Sequence, residues 1–180
     1  MANLLTAVRL FLLIPVAWSL ADPTLLPAYA LLILILIAIA SDYYDGIVAR
    51  ATGTASAKGM LFDHGTDFLF VTSGLSALAY AGSVHPLLPI LIAIAFSQYV
   101  LDSYFLFKQK QLKMSFLGKW NGVFYFAPLL IFTVARFELP SGFADSLLLI
   151  GSLLAYVLIV STMASIIDRL LAPRRENVDI

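Results

Sequence analysis

Apolar residues run along this chain in long blocks, not in the short alternating stretches of a soluble protein. Runs such as LLILILIAIA (31–40) and LLPILIAIAF (87–96) belong to longer segments of the ~20 apolar residues a helix needs to cross a bilayer. Hydropathy divides the chain into six predicted spans, at 4–20, 26–48, 60–81, 87–107, 121–137 and 144–168. The separators ADPT (21–24), ATGTASAKG (51–59), GSVHP (82–86), KQKQLK (108–113) and ELPSG (138–142) are turn-like. The tail PRRENVDI is polar, and Pro173 is expected to end the last helix nearby. The pattern predicts an all-α integral membrane protein of six transmembrane helices, with one domain over 1–172 and a short polar tail over 173–180.

Composition agrees. The 180 residues suit one domain, and 61% are hydrophobic against 12% charged, where soluble proteins carry about 25% charge. A formal net charge of zero argues against a nucleic-acid partner. The absence of cysteine rules out disulfides, thiolate metal ligands and a cysteine nucleophile. The first span does not resemble a signal peptide, because no basic region precedes it and it carries Asn3 and Arg9 at its start. Arg50 and Lys58 fall in the second loop, Lys108, Lys110, Lys113 and Lys119 in or beside the fourth, and Arg169, Arg174 and Arg175 at the C-terminal end. The opposite loops hold only Arg136. By the positive-inside rule both termini and the second loop are expected in the cytoplasm.

Against this background the stretch SDYYDGIVARATGTASAKGMLFDHGTD (41–67) stands out for its four aspartates. Asp42 and Asp45 are spaced i, i+3 and Asp63 and Asp67 i, i+4, so each pair shares one face of its helix. An antiparallel hairpin of the two helices would gather all four carboxylates at the cytoplasmic interface. Even one acid at mid-membrane costs about 2.5–3.5 kcal/mol on insertion scales, so one or two divalent cations are the natural compensation. All-oxygen donors suit hard ions, which favours Mg²⁺ or Mn²⁺ over Zn²⁺. Gly46 and Gly59 allow close approach of a ligand or backbone, and Arg50 offers a planar fork for phosphate oxygens. Metals and arginine together point to a phosphoryl group on a lipid or nucleotide.

The spacing D-x2-D-G-x2-A-R-x8-G-x3-D-x3-D, carried here by Asp42, Asp45, Gly46, Ala49, Arg50, Gly59, Asp63 and Asp67, resembles the motif of the CDP-alcohol phosphotransferases. The resemblance implies a six-helix membrane enzyme, usually a homodimer, which moves a phosphoalcohol from a CDP-linked donor to an acceptor hydroxyl and releases CMP. It implies that Asp42, Asp45, Asp63 and Asp67 hold the metals, two ions being expected, and that Asp67 also takes the acceptor's proton. It places Gly46, Arg50, Ser56 and Gly59 on the CDP part of the donor. Asn3 and Thr6 match the family's N-x-x-T nucleotide-binding element, and Arg9 continues their face. The implied donor is CDP-diacylglycerol, the reaction a step of phospholipid synthesis, and the setting a bacterial or archaeal inner membrane with the active site cytoplasmic.

The acceptor is less sharply marked. GKWN (118–121) resembles a stretch of the phosphatidylglycerophosphate and cardiolipin synthase types, in which Lys119 would bind an acceptor phosphate such as that of glycerol 3-phosphate. LFDHGTD (61–67) instead resembles the choline/ethanolamine phosphotransferases, which join a CDP-linked head group to diacylglycerol. Lys108, Lys110 and Lys113 read as topology markers against lipid phosphates, and Lys119 fits either role. His64 is placed to tune Asp67 or to act as an interfacial polar residue, and Asp102, one face with Gln98, to line an acceptor pocket or pair with a neighbouring helix. A divalent-cation carrier is the rival from another class, but carriers favour acids at mid-span and inverted repeats, and this chain shows neither clearly.

Overall fold

The structure, a computed structural model, describes residues 2–51, 57–101 and 116–176, without the side chains of 2–5, 49, 50, 57, 58, 60 and 172–176. Its helices are α1 (Ala2–Ala21), α2 (Ala28–Ala51), α3 (Ala57–Tyr80), α4 (Leu87–Leu101), α5 (Phe116–Phe124), α6 (Phe126–Val134) and α7 (Ser141–Glu176), with no strand among the described residues. Helices α5 and α6 are two halves of one apolar stretch, Phe116–Val134, so the described helices fall into six segments at the places hydropathy predicts. The break at Tyr125 has a local cause: Pro128 has no N–H to bond the carbonyl of Phe124, and its ring crowds that turn.

Three segments, Ala28–Val48, Phe116–Val134 and Ser141–Leu171, are long and apolar enough to cross a membrane, and Thr6–Ala21 and Leu87–Leu101 are shorter apolar helices. The chain is an integral membrane protein. Its outward side chains fit that solvent: Phe11, Ile14, Ile33, Val157 and Val160 are exposed, and lipid, unlike water, exacts no cost for them. α3 is the exception in composition because its first turns carry Lys58, Asp63, His64, Thr66 and Asp67.

The interior is built by close helix approach. Leu20, Leu31, Ile35, Leu75, Leu78, Leu88 and Leu129 are fully buried. Gly74 on α3 lets α6 and α1 come near, since a Cβ there would lie 2.9 Å from Leu129 Cδ2 and 3.4 Å from Leu20 Cδ1. Gly151 on α7 does the same for α6, where an added Cβ would meet side-chain atoms of Ile131 and Phe132 at 3.1 Å. Small residues at such crossings are how helices pack where the lipid is as apolar as the core.

Two helix ends show why the loops lie where they do. Gly82 adopts φ +76°; its N–H bonds Ala79 O at 3.0 Å and the Ser83 N–H bonds Leu78 O at 2.9 Å, a paired closure that satisfies the last carbonyls of α3. At the same end of the bundle Arg136, after α6, donates from Nη1 to Ser19 O at 2.6 Å and from Nη2 to Leu20 O at 2.7 Å. A guanidinium at a helix C-terminus meets both the orphan carbonyls and the negative end of the dipole. Arg136, the exception to the charge asymmetry of the loops, thus has a structural use.

The helix order around the acids differs from a simple hairpin. Among the described residues, α2 and α3 make their main contacts with α1, which lies against both. α4 joins α3 and α7, and α5 and α6 pack on α7. The acids of α2 and α3 therefore meet across the first helix.

Candidate active site

Near one end of the bundle, the start of α1, the last turns of α2 and the first turns of α3 converge. Arg9 of α1 is fully buried there. Its Nη1 donates to Asp42 Oδ1 at 2.9 Å and to Asp67, while its Nη2 donates to Asp63 and lies 3.6 Å from Asp45 Oδ2. One guanidinium thus touches all four motif carboxylates. The helical spacing brings this about: i, i+3 and i, i+4 pairs present two carboxylates per helix to one side, and Arg9 follows Thr6 on the matching face of α1.

The four acids are not equivalent. Asp45 is buried, whereas Asp42, Asp63 and Asp67 keep 39%, 27% and 24% of their side-chain surface exposed. The hydroxyl of Thr6, itself buried, donates to Asp45 Oδ2. Asp45 is therefore the anchored member of the set, and the other three face the opening.

The donor set fits a divalent cation. Oxygen atoms of Asp63 and Asp67 and a ring nitrogen of His64 lie within 4.8 Å of one another, and Asp45 Oδ1 is buried without a hydrogen-bond partner among the described residues. With all groups ionised, four carboxylates and one guanidinium leave a formal charge of −3. A buried site with that residue of charge and an orphan carboxylate oxygen suits a hard cation with oxygen ligands.

Beside the acids opens a cavity of about 650 Å³, within the range of small-molecule sites. Asp42, His64 and Asp67 form one wall, and Lys119, Ser165 and Arg169 contribute further polar groups. Phe68, Val71, Ile92, Phe96 and Leu130 make much of the remainder apolar. Phe68 of α3 and Phe96 of α4 stack with ring centroids 4.2 Å apart, fixing one side. Arg169 lies over the ring of Tyr99, 5.1 Å from its centroid, and Tyr99 meets His64 edge-on at 6.2 Å. Tyr125, at the break between α5 and α6, pairs its OH with Thr162 Oγ1 of α7 at 2.8 Å, and Ser161 Oγ of α7 donates to Asn121 Oδ1 of α5 at 2.6 Å. These bonds hold the α5 wall of the cavity to α7.

Of the residues singled out from the sequence, Asp42, Asp45, Asp63 and Asp67 come together, and His64 and Lys119 line the adjoining cavity. Thr6 faces Asp45. Gly46 and Gly59 are half-buried on the acid helices, and Asn3 and Arg50 lie on α1 and α2, their side chains outside the described ones. Ser56, Asp102, Lys108, Lys110 and Lys113 also fall outside the described residues. Gln98 donates to Ile166 O at 3.3 Å and so ties α4 to α7. His85 accepts the Leu87 N–H at 3.2 Å at the start of α4, a structural role. Sequence reasoning did not place Arg169 or Tyr99 at the site. A basic residue near a span end reads as a topology marker, and nothing local to it reveals a cavity.

A sequence model of the CDP-alcohol phosphatidyltransferases matches residues 1–167. No curated protein and no solved structure gave a significant match. The match covers the four motif acids and the helices that carry them, and the chain belongs to the CDP-alcohol phosphatidyltransferase family, metal-dependent enzymes that transfer a substituted phosphate from a CDP-alcohol to an acceptor.

Proposed function

We propose that this protein transfers the phosphatidyl group of CDP-diacylglycerol to the hydroxyl of a phosphorylated polar alcohol, releasing CMP. The observation that carries the reading is the cavity in which two cations, Lys119 and Arg169, share a chamber with Asp42 and Asp67. An acceptor phosphate held by the cations would place its hydroxyl toward the acids, and charge-assisted bonds to phosphate are among the strongest recognition contacts available.

In this reading Asp42, Asp45, Asp63 and Asp67 hold Mg²⁺ or Mn²⁺, and Thr6 keeps Asp45 in position. When bound, the metal ions neutralise the donor's pyrophosphate and the departing CMP. Asp67, in the cavity wall, takes the acceptor's proton as its oxygen bonds to the phosphorus carrying the diacylglycerol. The bond from that phosphorus to the CMP oxygen breaks, and CMP leaves with the electron pair. Asn3, Gly46, Arg50, Ser56 and Gly59 are assigned to the CDP part of the donor. His64, in contact with Tyr99 and beside Asp67, orients the acceptor end. The basic loops favour a cytoplasmic site with both termini on that side, where CMP and phosphorylated alcohols are soluble, and the enzyme acts as a homodimer.

The apolar wall of Phe68, Val71, Ile92, Phe96 and Leu130 favours a second reading, in which diacylglycerol enters the cavity and the donor is a CDP-linked head group. The test is purified protein with Mg²⁺ or Mn²⁺, offered CDP-diacylglycerol with glycerol 3-phosphate, inositol phosphate, inositol or serine, and separately CDP-choline with diacylglycerol. Products are identified by mass. CMP and a phosphatidyl product with a phosphorylated alcohol support the first reading, and turnover of CDP-choline alone supports the second. Movement of Mn²⁺ across vesicles with no CMP formed under any pairing would overturn both.

A further inference from the structure

We propose that Arg9 is the built-in counter-cation of the acid cluster, holding the four carboxylates together in the metal-free protein and competing with divalent cations for the same oxygens. The inference rests on the metal-binding reading of the cluster and concerns what the chain itself contributes to it.

Arg9 is fully buried, and its two Nη groups hydrogen-bond Asp42, Asp63 and Asp67 and lie near Asp45. These four acids come from two helices that pack chiefly on α1. Without a cation between them, α2 and α3 would each bring two carboxylates against the other pair, and mutual repulsion at low dielectric would drive the helices apart. A guanidinium suits the task better than an ammonium would. Its planar fork reaches several carboxylates at once and stays charged under all conditions.

The same contacts create the competition. A hard divalent cation binds carboxylate oxygens at about 2.0–2.6 Å, and those oxygens are the ones that accept from Arg9. A guanidinium and a divalent ion repel each other, so loading the site requires Arg9 to give up part of its contacts. Metal affinity is therefore set below what four carboxylates alone would reach. The Nε of Arg9 is buried without a hydrogen-bond partner among the described residues, whereas its two Nη groups reach the carboxylates.

The test compares full-length wild type with Arg9→Gln and Arg9→Lys in detergent, with no substrate present. Mn²⁺ affinity is read by calorimetry and by the electron-spin signal of free Mn²⁺, and melting temperature is read in chelator and in saturating Mn²⁺. Removing the competitor is expected to tighten Mn²⁺ binding at least tenfold, or about 1.4 kcal/mol, while lowering the melting temperature in chelator and leaving much less deficit in Mn²⁺. A purely structural role predicts the same deficit in both conditions and unchanged or weaker Mn²⁺ binding, and that result overturns the proposal. Should Arg9→Gln be obtainable only with Mn²⁺ bound, Arg9→Lys decides. It keeps the charge but cannot span four carboxylates, so Mn²⁺ binding tighter than wild type supports the proposal and equal binding overturns it. Absence of Mn²⁺ binding by wild type and variants alike instead refutes the metal reading itself, a separate outcome.

Discussion

Replacing Thr6 by valine removes one hydroxyl while keeping the shape of the side chain, and it separates two roles for this residue. In the structure both Thr6 and Asp45 are buried, and the hydroxyl donates to Asp45 Oδ2. Among the described residues Asp45 Oδ1 has no hydrogen-bond partner, and Arg9 Nη2 stands 3.6 Å from Oδ2. With the hydroxyl gone, the long approach of Arg9 is the contact that remains among the described residues to steady the Asp45 carboxylate. A hydrogen bond to a charged group is worth about 1.5–3 kcal/mol, which corresponds to roughly 10–150-fold in an equilibrium or rate. The expected result for Thr6→Val is a fall of that size in kcat or in Mn²⁺ affinity, with the donor KM nearly unchanged and Thr6→Ser close to wild type. The assay is CMP release over a matrix of Mn²⁺ and CDP-diacylglycerol concentrations. A raised donor KM with normal Mn²⁺ dependence would assign Thr6 to the nucleotide and refute the positioning role, and no change at all would refute both.

Other expectations follow from the same geometry. Lys119→Ala and Arg169→Ala should each raise the KM for a phosphorylated acceptor by about tenfold or more, the scale of one lost charge-assisted bond, while leaving the donor KM unchanged; equal effects on an uncharged alcohol would count against an anion pocket. Asp67→Asn should remove turnover yet leave the melting temperature within a few degrees of wild type, and substantial CMP release by that variant would remove Asp67 as the base. Gly74→Leu should destabilise the fold by about 1–3 kcal/mol through overpacking against Leu129 and Leu20, whereas Gly142→Ala, with nothing within 4 Å of the added Cβ, should be silent in thermal unfolding. Asp22, outside the spans, has its pKa held below the ordinary carboxylate value by the Thr24 hydroxyl and then the Thr24 N–H. Because the folded value is the lower one, its contribution to stability is present at neutral pH and fades as pH falls below the ordinary value of 3.8 toward the folded one; Asp22→Asn should flatten that part of the melting-temperature profile.

The passes and the acids were legible in the chain because both are local properties. A run of apolar residues long enough for the bilayer declares a helix through its own length, and carboxylates at i, i+3 and i, i+4 share a face whatever surrounds them. The motif from Asp42 to Asp67 accordingly named the family that the match over residues 1–167 shows. The split of the fifth pass at Tyr125 was less visible, although Pro128 is its cause, since proline inside an apolar run does not reveal whether a membrane helix bends or breaks.

What the sequence alone determined, then, is the solvent this protein lives in, the succession of its helices and the shared faces of four acids. The tertiary structure decided the rest: that α1 lies against both acid helices, that Arg9 meets all four carboxylates, and that Arg169 and Tyr99 of two distant helices close one cavity with Asp67. The physical reason is that each of these depends on which faces of different helices meet. In an apolar solvent that choice is made by small residues such as Gly74 and Gly151 and by a few buried polar contacts, whose partners lie tens of residues away and leave no periodic trace in the chain.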